Sequence, residues 1–183
     1  MPISQTEVTG LSSLIGSFDR AATALNRLAG GISALILVYI FGHIIYEIIL
    51  RSLFDSSTFV LDEFVGYAVA AMTFLSLGYA LNAGSLIRVD LAVSRLRGRA
   101  RRWAELFCLA ASFATSGYCA WWVGRDALRN WTRGSVSESI AEVPLWLPVG
   151  AVWLGLVLLM LQLLACFLRV AAGGEPINSD GAE

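Results

Sequence analysis

Residues 28–50 read LAGGISALILVYIFGHIIYEIIL, twenty-three positions with a single carboxylate, Glu47, and a single imidazole, His43. A helix rises about 1.5 Å per residue, so about 20 apolar residues in helical form cross the hydrocarbon core of a bilayer. Three further runs have the same character: 61–81 (LDEFVGYAVAAMTFLSLGYAL), 103–123 (WAELFCLAASFATSGYCAWWV) and 145–168 (LWLPVGAVWLGLVLLMLQLLACFL). A transmembrane β-barrel would show shorter segments of alternating polarity, and these runs do not alternate. The expected fold is an all-α membrane protein with four transmembrane helices. The first run begins late, exceeds the apolar core of a signal peptide and lacks a small-x-small cleavage site, so it is expected to remain as a span.

Composition agrees. Of 183 residues, 57% are hydrophobic and 15% charged, and mean hydropathy is +0.69, too oily for the surface of a soluble domain this small. The net charge of −1 argues against nucleic acid as a partner, because phosphate affinity needs a basic excess. Cys108, Cys119 and Cys166 fall inside apolar runs without CxxC spacing and read as small buried hydrophobes. A lone histidine supplies neither a zinc cluster nor a bis-His haem site, so no cofactor is expected.

Arginine placement orients the spans. Arg20, Arg27, Arg88, Arg95, Arg97, Arg99, Arg101, Arg102 and Arg169 fall on one side; Arg51, Arg125, Arg129 and Arg133 fall on the other. The positive-inside rule then places both termini in the cytoplasm. Trp121, Trp122, Trp131 and Trp146 mark the outer interface and Trp103 the inner one.

Before the first span, Leu11, Leu14, Ile15, Phe18, Ala22, Leu25 and Leu28 recur at three- and four-residue steps, with Ser12, Ser13, Asp19, Arg20 and Asn26 between them. This predicts an N-terminal amphipathic helix lying on the interface or against a neighbouring helix. In the second connection Asp90 can cap a short helix that runs to Leu96 and ends at Gly98. Residues 1–172 therefore read as one integral-membrane domain, and 173–183 (GGEPINSDGAE) as a disordered acidic tail.

Ionisable groups within spans are costly and invite functional readings. His43, Glu47 and Arg51 share one helix face, with Glu47 and Arg51 in the favourable order for an intrahelical pair. They read either as a snorkelling pair with a hydrogen-bonded His43, or as a polar contact with another helix or subunit. Asp62 and Glu63 suit the positive end of the second helix. Glu105 is within reach of Arg101. In PLWLP, Pro144 and Pro148 flank Trp146 and suggest a stiff entry, with the helix proper starting near Pro148. The middles of the spans offer little beyond Ser, Thr, Gly and Ala, and Gly66, Ala70, Ala71, Gly150 and Gly155 suit close helix packing. Catalytic and nucleotide-binding motifs such as HExxH, GxSxG and the Walker loop are absent.

The order of features resembles the small membrane subunit of tripartite ATP-independent periplasmic (TRAP) transporters. Arg51, Phe54 and Asp55 close the first span, Glu63 opens the second, and Phe74, Leu75 and Gly78 follow within it. Gly84, Ser85, Leu86, Ile87, Arg88, Val89 and Asp90 match a loop of the form Gly-x-His-Ile-x-Val-Asp, with Leu86 where the family commonly has His. Pro144, Leu145 and Trp146 open the fourth span, which continues to Gly150 or Gly155. The resemblance implies a scaffold subunit of the cytoplasmic (inner) membrane, embedded in phospholipid. Its implied partners are a large Na⁺-coupled permease subunit and a periplasmic receptor delivering an organic acid or similar solute. His43, Glu47, Arg51, Glu63, Arg88, Asp90, Pro144 and Trp146 are the expected interface or structural contacts. Arg125, Arg129, Glu138 and Glu142 are the expected receptor-facing positions.

Two rivals remain at this level. One is an anchor subunit of an unrelated membrane complex; the other is a small membrane enzyme using Glu47 and His43 as an acid–base pair.

Overall fold

The computed structural model describes the backbone of residues 5–84 and 99–171, and the side chains of 16–84 and 100–171. Within these it is helical: α1 (Gln5–Phe54), α2 (Leu61–Asn82), α3 (Arg99–Arg133) and α4 (Trp146–Ala171). Each contains a stretch long and apolar enough to cross a membrane. α2 and α4 match the expected spans within three residues. α1 and α3 exceed theirs. Fifty residues make a helix of about 75 Å and thirty-five one of about 52 Å, both longer than the bilayer is thick.

α1, α2 and α4 pack mutually, whereas the backbone of α3 approaches only α4. α4 is thus the central helix, buried along Gly155, Leu156, Leu158, Leu159, Gln162, Leu163, Ala165, Cys166 and Val170. One apolar cluster joins Leu159, Leu163, Cys166 and Val170 to Leu81 of α2 and Leu109 of α3; a second joins Ala29, Leu75 and Leu158.

The face that α1 packs differs from the one its hydrophobic residues predict. Its least exposed positions from Ala22 onward run Ala22, Asn26, Ala29, Ser33, Ile36, Ile40, His43 and Glu47, alternating steps of four and three. That 3.5-residue repeat keeps one seam facing its neighbours along the helix. Apart from Ile36 and Ile40 the seam is small or polar, while Leu25, Leu28, Ile32 and Leu35 are exposed. Lipid tails are as apolar as leucine, so in a membrane small residues that permit close approach, and polar groups that find partners, are the ones turned inward. Nor is the N-terminal stretch a separate element. It continues without a break into the first span.

Four glycines set the closest approaches, Gly30 against the Tyr79 ring among them. A Cβ on Gly155 would lie 2.5 Å from the Phe74 carbonyl carbon, one on Gly124 2.6 Å from the Trp153 indole nitrogen, and one on Gly78 1.8 Å from Asn26 Oδ1. Gly66 and Gly150, expected to serve the same purpose, face open space. The cysteine expectation holds only for Cys166, since Cys108 and Cys119 lie on exposed faces.

The connections have identifiable stops. Asp55 takes a left-handed conformation (φ 46°) directly after α1. α3 ends in a Schellman motif: Gly134 adopts φ 60°, its N–H reaches Trp131 O, and Ser135 N–H reaches Asn130 O. α4 starts at Trp146, one half-turn before the expected Pro148. Pro144 O and Leu145 O accept from Leu147 N and Val149 N, and Pro148 falls in the first turn, where an N–H would have no helical partner.

Candidate functional site

The polar groups concentrate at two levels. At the Phe54 end of α1, Glu47 is 1% exposed, and its carboxylate closes the following turn upon itself. Ser57 Oγ and Thr58 Oγ1 donate to its two oxygens at 2.5 and 2.7 Å, Thr58 N donates at 3.3 Å, and Arg51 Nε donates at 2.9 Å. Arg51 also donates to Ser57 Oγ at 3.2 Å. The expected Glu47–Arg51 pair is therefore present, as the rim of a larger device: a buried carboxylate that holds residues 55–60, including Phe59 at φ 57°. The turn residues Ser57 and Thr58 were not legible as its partners, because a serine-rich turn carries no mark of which acid it serves.

His43 lies one turn deeper. Its ring stacks on Tyr39 at 5.6 Å and faces Phe64 at 6.3 Å, and its Nε2 is buried without a hydrogen-bond partner. The hydrogen bond expected of it there is replaced by aromatic contact. With the oxygens of Glu47 engaged elsewhere, the two form no acid–base dyad.

Glu63, in the first turn of α2, accepts from Tyr67 Oη at 2.8 Å, and the hydroxyls of Ser137 and Ser139 lie beside it. Those serines belong to the connection between α3 and α4, where Val136 and Pro144 pair antiparallel and Ser137 N donates to Val143 O at 2.9 Å. Pro144 is thus part of a hairpin-like turn whose serines lie beside Glu63 of α2, and Trp146 meets Trp131 edge-on at 4.5 Å across its base. Arg125, Arg129, Glu138 and Glu142 are all exposed, the arginines on α3 and the acids on the turn, and they form no ion pairs with one another. Arg88 and Asp90, the short helix expected after Asp90 and the tail 173–183 lie outside the described residues.

The second level was missed by sequence reasoning. Asn26 Nδ2 donates to Gln162 Oε1 at 3.0 Å, to Leu158 O at 3.3 Å and to Ala22 O at 2.9 Å, and both amides are fully buried. Gln162 thus adds a buried amide to span interiors expected to hold little beyond Ser, Thr, Gly and Ala. One part of the signal was in the sequence, since Gln162 is the one amide in an otherwise apolar run, but its partner was not. Nearby, Arg169 pairs with Asp19 across 150 positions of sequence, and Arg102 donates to Ala171 O at 2.8 Å, satisfying a carbonyl at the end of α4. The expected Arg101–Glu105 pair is present at 3.1 Å.

Among the described residues no group of three or more His, Cys, Asp or Glu is placed to hold a metal ion. The buried polar side chains Asn26, Ser33, Glu47 and Gln162 all bond within the chain. Such an arrangement fixes helices against one another.

No curated protein and no solved structure matches the chain. A family model does, over residues 40–173: tripartite ATP-independent periplasmic transporters, DctQ component. That is a family of transporter components, not of enzymes, and it sets aside the acid–base reading of Glu47 and His43. With four spans in a multi-pass membrane body and a match covering most of its length, the chain belongs to the DctQ family, the small membrane component of TRAP transporters.

Proposed function

We infer that the protein is the scaffold half of a permease. It supports a larger, Na⁺-coupled subunit that takes up an organic acid or similar small solute delivered by a periplasmic receptor. The observation that carries this reading is the use of its buried polar groups. Glu47 holds a turn, Asn26 and Gln162 join α1 to α4, and Ser33 bonds to Ala29 O one helical turn back. These groups engage partners within the protein, whereas α1 and α3 present long exposed apolar faces suited to lipid and to a larger membrane partner.

In this reading the arginine-rich end of α3 lies in the cytoplasm with both termini, in the inner membrane of the cell. The N-terminal part of α1 runs along that interface or against a partner helix. The turn between α3 and α4, with Glu138, Glu142 and the exposed Ile140 at its tip, faces the receptor, and Arg125 and Arg129 lie on the same side of the membrane.

The test is reconstitution of solute uptake in liposomes. The large subunit with this protein and receptor is expected to transport, and the large subunit with receptor alone to lose most of that activity. Full uptake without this protein overturns the scaffold reading.

A further inference from the structure

We propose that Tyr118, Trp122, Arg125 and Arg129 on α3 form a binding site for the phosphate headgroup of an anionic phospholipid.

The four residues are spaced by four, three and four positions, so they share one face. The opposite seam of the same helix, through Leu109, Phe113, Gly117, Ala120, Gly124 and Trp131, is the one turned to α4: Gly117 lies by Met160, Gly124 by Trp153 and Trp131 by Trp146. The backbone of α3 approaches no other helix of the described bundle, so the Tyr118–Arg129 face looks away from the protein. All four side chains are exposed except where they touch each other. Tyr118 and Trp122 meet edge-on at 6.4 Å, and the Arg125 guanidinium lies over the Trp122 ring, 5.7 Å from its centroid.

Depth and charge select the ligand. The apolar run of α3 ends at Val123, so Trp122 sits at the boundary of the hydrocarbon, where indole rings partition, and Arg125 begins the headgroup layer. Arg129 lies about 6 Å further along the axis, within the same layer, which extends several ångström beyond the core. Neither guanidinium has a carboxylate partner among the described residues. Side chains on a helix lean toward its N-terminus, and Arg125 follows this rule, its cation drawn back over Trp122 toward the hydrocarbon. A cation held at that depth is satisfied by an anion that lies in the same layer, and a lipid phosphate does. The glycerol and upper acyl chains then run over Trp122 and Tyr118.

The test is native mass spectrometry of the purified full-length protein, released from nanodiscs of phosphatidylethanolamine containing a minority of phosphatidylglycerol or cardiolipin. Wild-type protein is expected to retain anionic phospholipid in preference to phosphatidylethanolamine. The Arg125→Gln/Arg129→Gln variant is expected to lose that retention by about fivefold for each arginine removed. The Arg125→Lys/Arg129→Lys variant is expected to keep most of it, since a lysine also binds phosphate as a point charge. Equal retention by wild type and the Gln variant overturns the proposal, as does equal loss in the Gln and Lys variants, which would mark a structural defect. Unchanged lipid retention in a Gln variant that no longer co-purifies with the large permease subunit also overturns it, by assigning the arginines to a protein partner.

Discussion

The side chain of Asn26 is held between two helices: Nδ2 donates to Gln162 Oε1 at 3.0 Å on α4, and Oδ1 rests against the bare Cα of Gly78 on α2. Polar contacts between membrane helices contribute on average about 0.6 kcal/mol and up to about 1.7 kcal/mol. The glycine matters more than the hydrogen bond, because a methyl group there would occupy the place of Oδ1. Gly78→Ala is expected to destabilise the protein by about 2 kcal/mol, as overpacking does. Asn26→Ala is expected to cost about 1 kcal/mol. The double variant should be more stable than the sum of the two predicts, since removing the amide makes room for the methyl. Thermal unfolding of the four proteins in one detergent checks this; strict additivity contradicts it.

Glu47→Ala should release residues 55–60. The variant removes the acceptor for Ser57, Thr58 and Arg51 together, and the turn that holds Asp55 and Phe59 at positive φ loses its tether to α1. Hydrogen exchange read by mass spectrometry should show faster exchange across 55–60, with α2 and α4 unchanged. Because Arg51 is largely exposed, the overall cost should stay near that of one charged hydrogen bond, about 2 kcal/mol.

Glycine-to-alanine changes should separate contact from open space. At Gly155 the added methyl meets the Phe74 backbone, which cannot move aside as a side chain can, so a loss of about 2 kcal/mol or more is expected. At Gly66 and Gly150 nothing lies within 4 Å, and the same change should stabilise by roughly 0.5–1 kcal/mol through helix propensity. If Gly66→Ala or Gly150→Ala instead weakens co-purification with the large subunit while leaving the isolated protein intact, that glycine belongs to the intersubunit contact.

Asp19 and Arg169 offer a charge-swap test. Asp19→Asn alone should cost about 1 kcal/mol, the scale of a half-exposed pair, and the loss should shrink at high salt. Asp19→Arg should cost more through repulsion, and Asp19→Arg/Arg169→Asp should recover most of it. Failure of the swap to rescue would show that packing around the pair, not its charge, joins α1 to α4.

The four spans were legible because the bilayer makes one demand, a long apolar run, that composition alone reveals. Which face each helix packs was not, because the familiar rule reverses in lipid. Leu25 and Leu28, part of the apolar stripe expected on the interface or against a neighbouring helix, are exposed, while Asn26, read among the polar positions between them, lies in the seam. Local pairs such as Glu47–Arg51 and Arg101–Glu105 could be read from spacing, since i and i+4 are neighbours on any helix. Asp19–Arg169 and Asn26–Gln162 depend on which helices meet and at what height, and no local pattern encodes that.

The heights at which the helices meet have a consequence for the bilayer itself. Gly117, Gly124 and Trp131 of α3 face Met160, Trp153 and Trp146, so the apolar run 103–123 lies opposite α4 from Leu154 onward, not opposite α4's own run of 145–168. Asp19 opposite Arg169 and Asn26 opposite Gln162 displace the run of α1 in the other direction, toward Phe54. Each step is on the order of 10 Å along the axis. Three greasy bands stepped like a staircase cannot all lie level in a flat bilayer while the helices stand upright. The bundle lies flush with the membrane only when it leans, or where the membrane thins to meet it.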